Sequence, residues 1–271
     1  MSDDDARRYN QQAWDQQVED GNEWTLPVST EVINRARQGD WSVVLTPNIP
    51  VPREWFPPDM SGVRILALAS GGGQQGPIFS AVGADVTVFD ASEKQLERDQ
   101  MVAERDGFEI DTVQGDMADL SAFPDETFDL VFHPVSNCFS PVVLPVWREV
   151  ARVLAPDGLL LAGFTNPVAL LVDPDAAEEG VTTLKYAMPF SEPDDLSEEE
   201  KKRYTEKNEP LVYAHSLEDQ IGGQLAAGLS LTHMFEDYGR DKKDAIDKHL
   251  PTHIATRAIK IDLGPFPDEE E

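Results

Sequence analysis

The period of the apolar positions changes several times along this chain, and each change marks an element. Residues 1 to about 20 are polar, with Tyr9, Ala13, Trp14 and Val18 at three-to-five spacing, which predicts a short amphipathic helix. Ser29 is placed to cap a helix over Glu31 to Gln38, closed by Gly39. Trp41 to Leu45 reads as a strand, and the proline-rich stretch Pro47 to Pro58 as an extended linker. The segment Val63 to Asp90 then organises the rest. An apolar run, Ile65 to Ala69, enters the glycines Gly71, Gly72, Gly73 and Gly76; a short apolar segment, Pro77 to Val82, follows; a second run, Val86 to Phe89, ends on Asp90. That is strand, tight loop, helix, strand, acid. Ser92 caps a long helix, Glu93 to Asp106, ended by Gly107. Strands follow at Phe108 to Val113, Phe128 to Phe132 and Leu159 to Phe164, with a helix at Val142 to Leu154 and a turn at Pro156-Asp157-Gly158. Near-continuous apolar strands alternating with helices predict a parallel sheet buried on both faces.

The rhythm breaks from Asn166 to Tyr213, an acidic stretch with a solvated helix near Ser197 to Lys207. Ser216 opens a helix with Asp219 three residues on, as in a capping box, and Gly222-Gly223 inside it predicts close packing. Leu229 to Glu236 and His253 to Ile261 read as two strands that pair antiparallel, joined by the polar segment Asp237 to Lys248. The tail Pro267 to Glu271 is expected to be disordered. The expected fold is α/β, a Rossmann-like doubly wound seven-stranded, mostly parallel sheet with one antiparallel strand near the edge. A helical N-terminal extension and a lid insertion should lie over the carboxyl ends of the strands.

Charge narrows the partners. The 271 residues carry a net charge of −29, spread along the whole chain. That balance disfavours nucleic acid and an anionic membrane surface, and it suits a soluble, acidic protein adapted to molar salt, where self-repulsion is screened. The single cysteine, Cys138, allows no internal disulfide and fits a reducing, cytoplasmic setting. No apolar stretch is long enough to span a bilayer.

The glycine loop and the acid after it form a nucleoside grip. Backbone N–H groups and a helix N-terminus converge on one point, and Asp90 can accept from two vicinal hydroxyls. GGGQQG matches the dinucleotide pattern G-x-G-x-x-G, but Gly71 lies only 19 residues before Asp90 and the chain ends in an antiparallel pair. Other chemistries have little support. His249 and His253 are separated by Pro251, Ser70 is not in a G-x-S-x-G elbow, and no third ligand suggests a metal site.

Four motifs in order carry a resemblance: LALASGGG (Leu66 to Gly73), VTVFDAS (Val86 to Ser92), VQGDMADL (Val113 to Leu120) with FDLVF (Phe128 to Phe132), and WREVARVLAPDGLLLAGF (Trp147 to Phe164). Together they resemble the class I S-adenosylmethionine-dependent methyltransferases, especially the small-molecule, ubiquinone/menaquinone-biosynthesis-like group. The resemblance covers residues 63 to about 165 well and 216 to 262 in outline. It implies S-adenosyl-L-methionine as cofactor, released as S-adenosyl-L-homocysteine. It places Ser70, Gly71, Gly72, Gly73 and Gln75 at the methionine end, Asp90 on the ribose hydroxyls and Ala91 against the adenine. Asp116 would accept from the adenine amino group, the Met117 N–H would meet the ring, and the His133 backbone would meet the methionine amino group. Ala67 and Ala69 depart from the family pattern, standing where an acid and the first loop glycine are usual; Gln74 and Gln75 are candidates to compensate.

The expected organisation is an N-terminal extension or cap (1–60), a cofactor-binding core (61–165), an acidic insertion or lid (166–215), a C-terminal part of the core (216–265) and a tail (266–271). The expected function is methyl transfer by in-line displacement to a small-molecule acceptor, with the protein a monomer or homodimer. His133, at the carboxyl end of a strand, is the candidate general base, although its backbone alone would satisfy the resemblance. Tyr9, Asn10, Trp14, Ser136, Asn137 and His215 are the candidate acceptor-lining residues. Two alternatives remain open at this point: a nicotinamide-dependent oxidoreductase using the same loop, and a cofactor-binding scaffold without turnover.

Overall fold

A computed structural model describes residues 1–242 and 244–261; the expected disordered tail lies outside the described residues. Helix α1 (Asp3–Asp20) is capped by the Ser2 side chain and closed by Gly21. Helix α2 (Thr30–Arg37) has the expected Ser29 cap, whose hydroxyl accepts from the Val32 N–H. The alternating core follows: β1 (Arg64–Leu68), α3 (Gln75–Ala81), β2 (Asp85–Asp90), α4 (Glu93–Asp106), β3 (Asp111–Gln114), β4 (Phe128–His133), α5 (Leu144–Val153) and β5 (Leu154–Thr165). The insertion holds α6 (Pro174–Glu178), β6 (Phe190–Ser191), α7 (Glu192–Asp195), α8 (Glu198–Glu206) and β7 (Tyr213–Ala214). The chain then forms α9 (Gly223–Ala226), β8 (Leu229–Asp237) and β9 (His253–Lys260).

The main sheet runs β3-β2-β1-β4-β5-β9-β8. The first five strands are parallel, and β9 is antiparallel to both of its neighbours, β5 and β8. Because side chains alternate across a strand, Ile65 and Ala67 join one core while Leu66 and Leu68 join the other. On the first face, α2, α3 and α4 bring Ala36, Phe79 and Leu96 over Val86, Val88 and Phe132 of the sheet. On the second, α5 buries Val146, Trp147 and Val150. Trp147 is fully buried and its indole N–H donates to the Asp219 carbonyl, 3.0 Å away. A Cβ at Gly223 would stand 2.6 Å from Trp147 Cδ1, whereas one at Gly222 would meet only Glu218 Cγ at 3.8 Å, so of the pair Gly223 marks close packing.

Four local expectations are corrected. Trp41 to Leu45 is no strand; it makes one isolated bridge, Val44 to Pro50, because Gly163 lets it cross over β5 rather than pair beside it. A methyl group at Gly163 would overlap the Leu45 carbonyl oxygen. The stretch Pro47 to Pro58 is not a linker: Val51, Trp55 and Phe56 are core residues, and apolar burial outweighs proline's bias to extended, solvated chain. The helix expected from Ser216 opens as a π-helical turn, Glu218–Gly222, before α9. The Pro156-Asp157-Gly158 turn is a bulge inside β5, with Asp157 at φ 60°.

Candidate functional site

The loops leaving β1, β2, β3 and β4 converge at one end of the sheet, as the parallel topology requires. There they open into a cavity of about 960 Å³. Its floor is built from Ala69, Ser70, Gly71 and Gln75 after β1, Asp90 and Ala91 after β2, Gln114 to Met117 after β3, and Pro134 to Ser136 after β4. Its roof comes from α1 and the insertion.

Asp90 anchors the floor. Its Oδ2 accepts from the Gly71 N–H at 3.0 Å and its Oδ1 from the Ser92 N–H at 3.0 Å. Burial raises its pKa, partly opposed by these backbone bonds. A Cβ at Gly71 would lie 2.7 Å from Gln95 Cβ and 3.1 Å from Asp90 Oδ2, so glycine is what keeps this cradle open. Two buried polar atoms of residues on this wall, Ser70 Oγ and Gln95 Oε1, have no hydrogen-bond partner among the described residues. Buried polar atoms are seldom left so, and a wall of this kind fits a polar guest with hydroxyl and amino groups.

The glycine loop is held from behind. Gly73 donates its N–H to Asp99 Oδ2 at 3.1 Å, and Asp99 is fully buried on the inner face of α4. Burial pushes its pKa well above the usual carboxylate range. Ala69, at the first loop position, takes φ 47°, the left-handed region that glycine adopts freely. Gly72 and Gly73 face the N-terminal segment and α4 rather than the cavity: their added Cβ atoms would meet the Trp24 carbonyl, Pro27 and Val102. The amide of Gln74 donates to the Glu23 and Leu26 carbonyls, and Gln75 Oε1 accepts from the Val44 N–H. These three bonds tie the loop to the N-terminal extension.

Asp116 lines the cavity with its carboxylate already engaged. Oδ2 pairs with Arg7 Nε at 2.5 Å and Oδ1 accepts from the Ala118 N–H at 2.9 Å. Arg7 belongs to α1, so the extension reaches the outer rim of the floor. Asp15 of the same helix accepts from the Ser92 hydroxyl at 2.6 Å. Asn10 fastens the other side: its amide donates to the Phe139 and Leu211 carbonyls and its oxygen accepts from the Leu211 N–H. Asn10 and Trp14 therefore line the cavity, with Trp14 edge-on to Phe139, but the Asn10 amide is spent on structure.

His133 is corrected as a candidate base. Its ring is fully buried and outside the cavity. Nδ1 donates to the Leu68 carbonyl at 2.9 Å and Nε2 pairs with the Asn137 side-chain amide at 2.6 Å. Burial lowers its pKa. Asn137, also fully buried, donates onward to Gln220 Oε1 at 3.0 Å. These side chains pin the ends of β1 and β4 to the turn before α9. His215 pairs with the Ser140 and Asn137 carbonyls, and the Tyr9 hydroxyl donates to the Glu209 carbonyl; neither residue lines the cavity. Ser136 does line it.

Sequence reasoning did not single out Gln95, Asp99, Gln114 or Glu192. Asp99 carried a signal, standing in the buried stripe of α4 with Leu96, Val102 and Ala103. Cys138 lines the cavity, its thiol pushed up to about 12 by burial. No group of three or more metal-ligating side chains exists among the described residues, and none of their helices is long and apolar enough to cross a membrane.

Comparison with known proteins decides the family. Residues 66–162 match the family model described as a methyltransferase domain. The chain is 50% identical over 253 residues to an uncharacterized methyltransferase, YbaJ, of Bacillus subtilis, spanning 93% of this chain and 98% of that protein. This chain belongs to the class I S-adenosylmethionine-dependent methyltransferases. It is an enzyme of that kind rather than a nicotinamide-dependent oxidoreductase or a scaffold. A sterol 24-C-methyltransferase of Gibberella zeae is 34% identical over 101 residues, covering 36% of this chain and 26% of that protein. An S-adenosylmethionine-dependent methyltransferase from Mesorhizobium loti shares the fold, with a TM-score of 0.60 at 19% identity, over 76% of this chain and 94% of that one.

Proposed function

We propose that this enzyme methylates a small organic acceptor by in-line displacement, with both reactants held in one continuous cavity. The observation that carries the reading is the continuity of the cavity: about 960 Å³ joins the Gly71–Asp90–Asp116 floor to an aromatic, lid-covered upper half. A bound S-adenosylmethionine supplies an electrophilic methyl carbon on a sulfonium. The residues of this chain bind, orient and exclude water. Asp90 would accept from the ribose hydroxyls, and Ser70 and Gln95 would offer their unpartnered atoms to the polar parts of the cofactor. Ala91, Gly115 and Met117 would frame the adenine. Asp116 would accept from the adenine amino group once Arg7 yields or shares it, and the backbone after β4 would meet the methionine end. The His133 ring plays no proton-transfer part in this reading; its role is to fix the β1 and β4 ends.

A chamber roofed by α1 and the insertion can align a nucleophile at about 3–3.5 Å from the methyl group and keep water out. A folded roof and a −29 surface suit a small molecule rather than nucleic acid.

The test is calorimetric titration of S-adenosylhomocysteine, NAD and NADP into the wild type and Asp90→Ala. Only the first should bind, and Asp90→Ala should abolish it; unchanged affinity in that variant refutes the ribose assignment. The titration is run in molar KCl, because the net charge is read as an adaptation to high salt. Circular dichroism against KCl checks that reading, and full stability in low salt removes it.

A further inference from the structure

The upper half of the chamber carries a feature that methyl transfer in general does not require. Glu192, the first residue of α7, lines the cavity and is only 5% exposed. Its Oε2 accepts from the Val212 N–H at 2.8 Å. Its Oε1 has no hydrogen-bond partner among the described residues. Burial, outweighing the Val212 bond and joined by the charge of Glu209, pushes its pKa up to about 7. The titratable groups near enough to share its electrostatics are Glu209, the Tyr9, Tyr204 and Tyr213 hydroxyls, and the Cys138 thiol. All four of the latter are raised chiefly by burial, with Glu192's charge adding to it. Glu192 and Cys138, in the loop after β4, both line the cavity.

The surroundings define the guest. The insertion and the segment before β9 contribute Leu170, Phe190, Leu196 and Ile246, with Tyr186 stacked on Phe190 at 4.3 Å between centroids. Among the described residues that these two segments bring to the cavity, the carboxylates Glu192 and Asp244 have no Lys or Arg beside them. Burial lowers the pKa of His253, the remaining titratable nitrogen there, which favours its neutral form. Arg7 and Arg8 of α1, which also line the cavity, are paired with Asp116 and Asp5, so an anionic guest against the insertion would have to compete for a countercharge, at a desolvation cost. A cationic one would meet a carboxylate with a free lone pair and aromatic faces.

We propose that the methyl acceptor is an amine with an apolar body, whose ammonium group is held by the free oxygen of Glu192; in transfer this oxygen would take one ammonium proton, freeing the nitrogen lone pair to form the N–CH3 bond. This inference rests on the methyltransferase reading of the chamber and adds the acceptor's chemical class to it.

The test uses three matched probes, phenethylamine, 2-phenylethanol and 3-phenylpropionate, titrated calorimetrically into the full chain saturated with S-adenosylhomocysteine. Phenethylamine should bind at least about tenfold more tightly than either analogue, since a charge-assisted hydrogen bond in a buried site is worth that much. Glu192 has a pKa of about 7, so amine binding near pH 7 should release about half a proton, read from buffers of different ionisation enthalpy. Glu192→Gln should erase both the preference and the proton release while leaving the S-adenosylhomocysteine affinity within about twofold. Equal binding of the three probes, no binding of any, or a preference that survives Glu192→Gln overturns the proposal. Loss of S-adenosylhomocysteine binding by the wild type would instead overturn the reading on which it stands.

Discussion

Replacing Ala69 with glycine should stabilise the ligand-free enzyme. Ala69 sits at the end of β1 with φ 47°, and its N–H donates to the Phe89 carbonyl at 2.7 Å. That bond fixes the first turn of the loop in the left-handed region whatever residue stands there. Holding an L-residue in this region costs roughly 1–2 kcal/mol, from the approach of Cβ to the following carbonyl oxygen. Glycine removes that cost but adds freedom to the unfolded chain, worth about 0.4–1 kcal/mol in the other direction. The net expectation is a gain of about 0.5–1 kcal/mol, the difference of those two ranges at their centres. For a chain of this size that corresponds to about 1–4 °C in the thermal midpoint. Denaturant melts in molar KCl measure it, with the slope required to stay constant so that the change belongs to stability. Because Ala69 also lines the cavity, S-adenosylhomocysteine affinity is measured in parallel and should change little. A loss of stability on Ala69→Gly would refute the reasoning, because it would mean that the methyl group's packing outweighs the backbone strain.

Two further substitutions probe the supports of the site. Asp99→Asn should gain stability relative to the wild type as pH rises: burial raises the native pKa of Asp99 well above its unfolded value, so its contribution is complete below the unfolded pKa and is lost as pH rises through the folded one. Melts of both proteins from about pH 5 to about pH 8 should show the gap widening, and a gap independent of pH would exclude a raised Asp99. Gly163→Ala should destabilise by about 1–3 kcal/mol, the cost of overpacking a tight core, because its methyl group would overlap the Leu45 carbonyl. Since Val44, Leu45 and Thr46 line the cavity, S-adenosylhomocysteine binding should weaken as well; wild-type stability in that variant would show that the crossing segment is not held against β5.

The core was readable because its signals are local. A strand of apolar residues, a glycine loop and a strand ending in an acid leave few other topologies, and Ser29 and Ser92 each make the cap bond that their position predicts. The antiparallel order of the last two strands followed from a connection too polar to cross the sheet as a buried helix. The failures share a physical cause. Trp41 to Phe56 has no period because it crosses the sheet face at an angle, burying residues singly against partners far away in sequence. His133 looked available because a strand's carboxyl end usually is, but the bond from its ring to Leu68, 65 residues earlier, cannot be read from its neighbours. Asn137 is a similar case, its amide committed to Gln220, 83 residues on.

The same division explains where specificity resides. The floor of the chamber comes from loops whose geometry the sheet dictates, and its residues match a family pattern. The roof comes from α1 and the insertion, which are held by a few side-chain bonds from unlike partners: Asn10 to Leu211 and Phe139, Asp15 to Ser92, Arg7 to Asp116. Such segments are free to change without disturbing the core. Glu192 belongs to them. In the sequence it stands in a run of acids, Glu192 to Glu200, that resembles a solvated surface. It differs from its neighbours by being folded under β7, where Val212 satisfies one oxygen and leaves the other facing the cavity. On the amine proposal, acceptor chemistry would rest on the tertiary burial of one acid among many, which composition conceals and the fold selects.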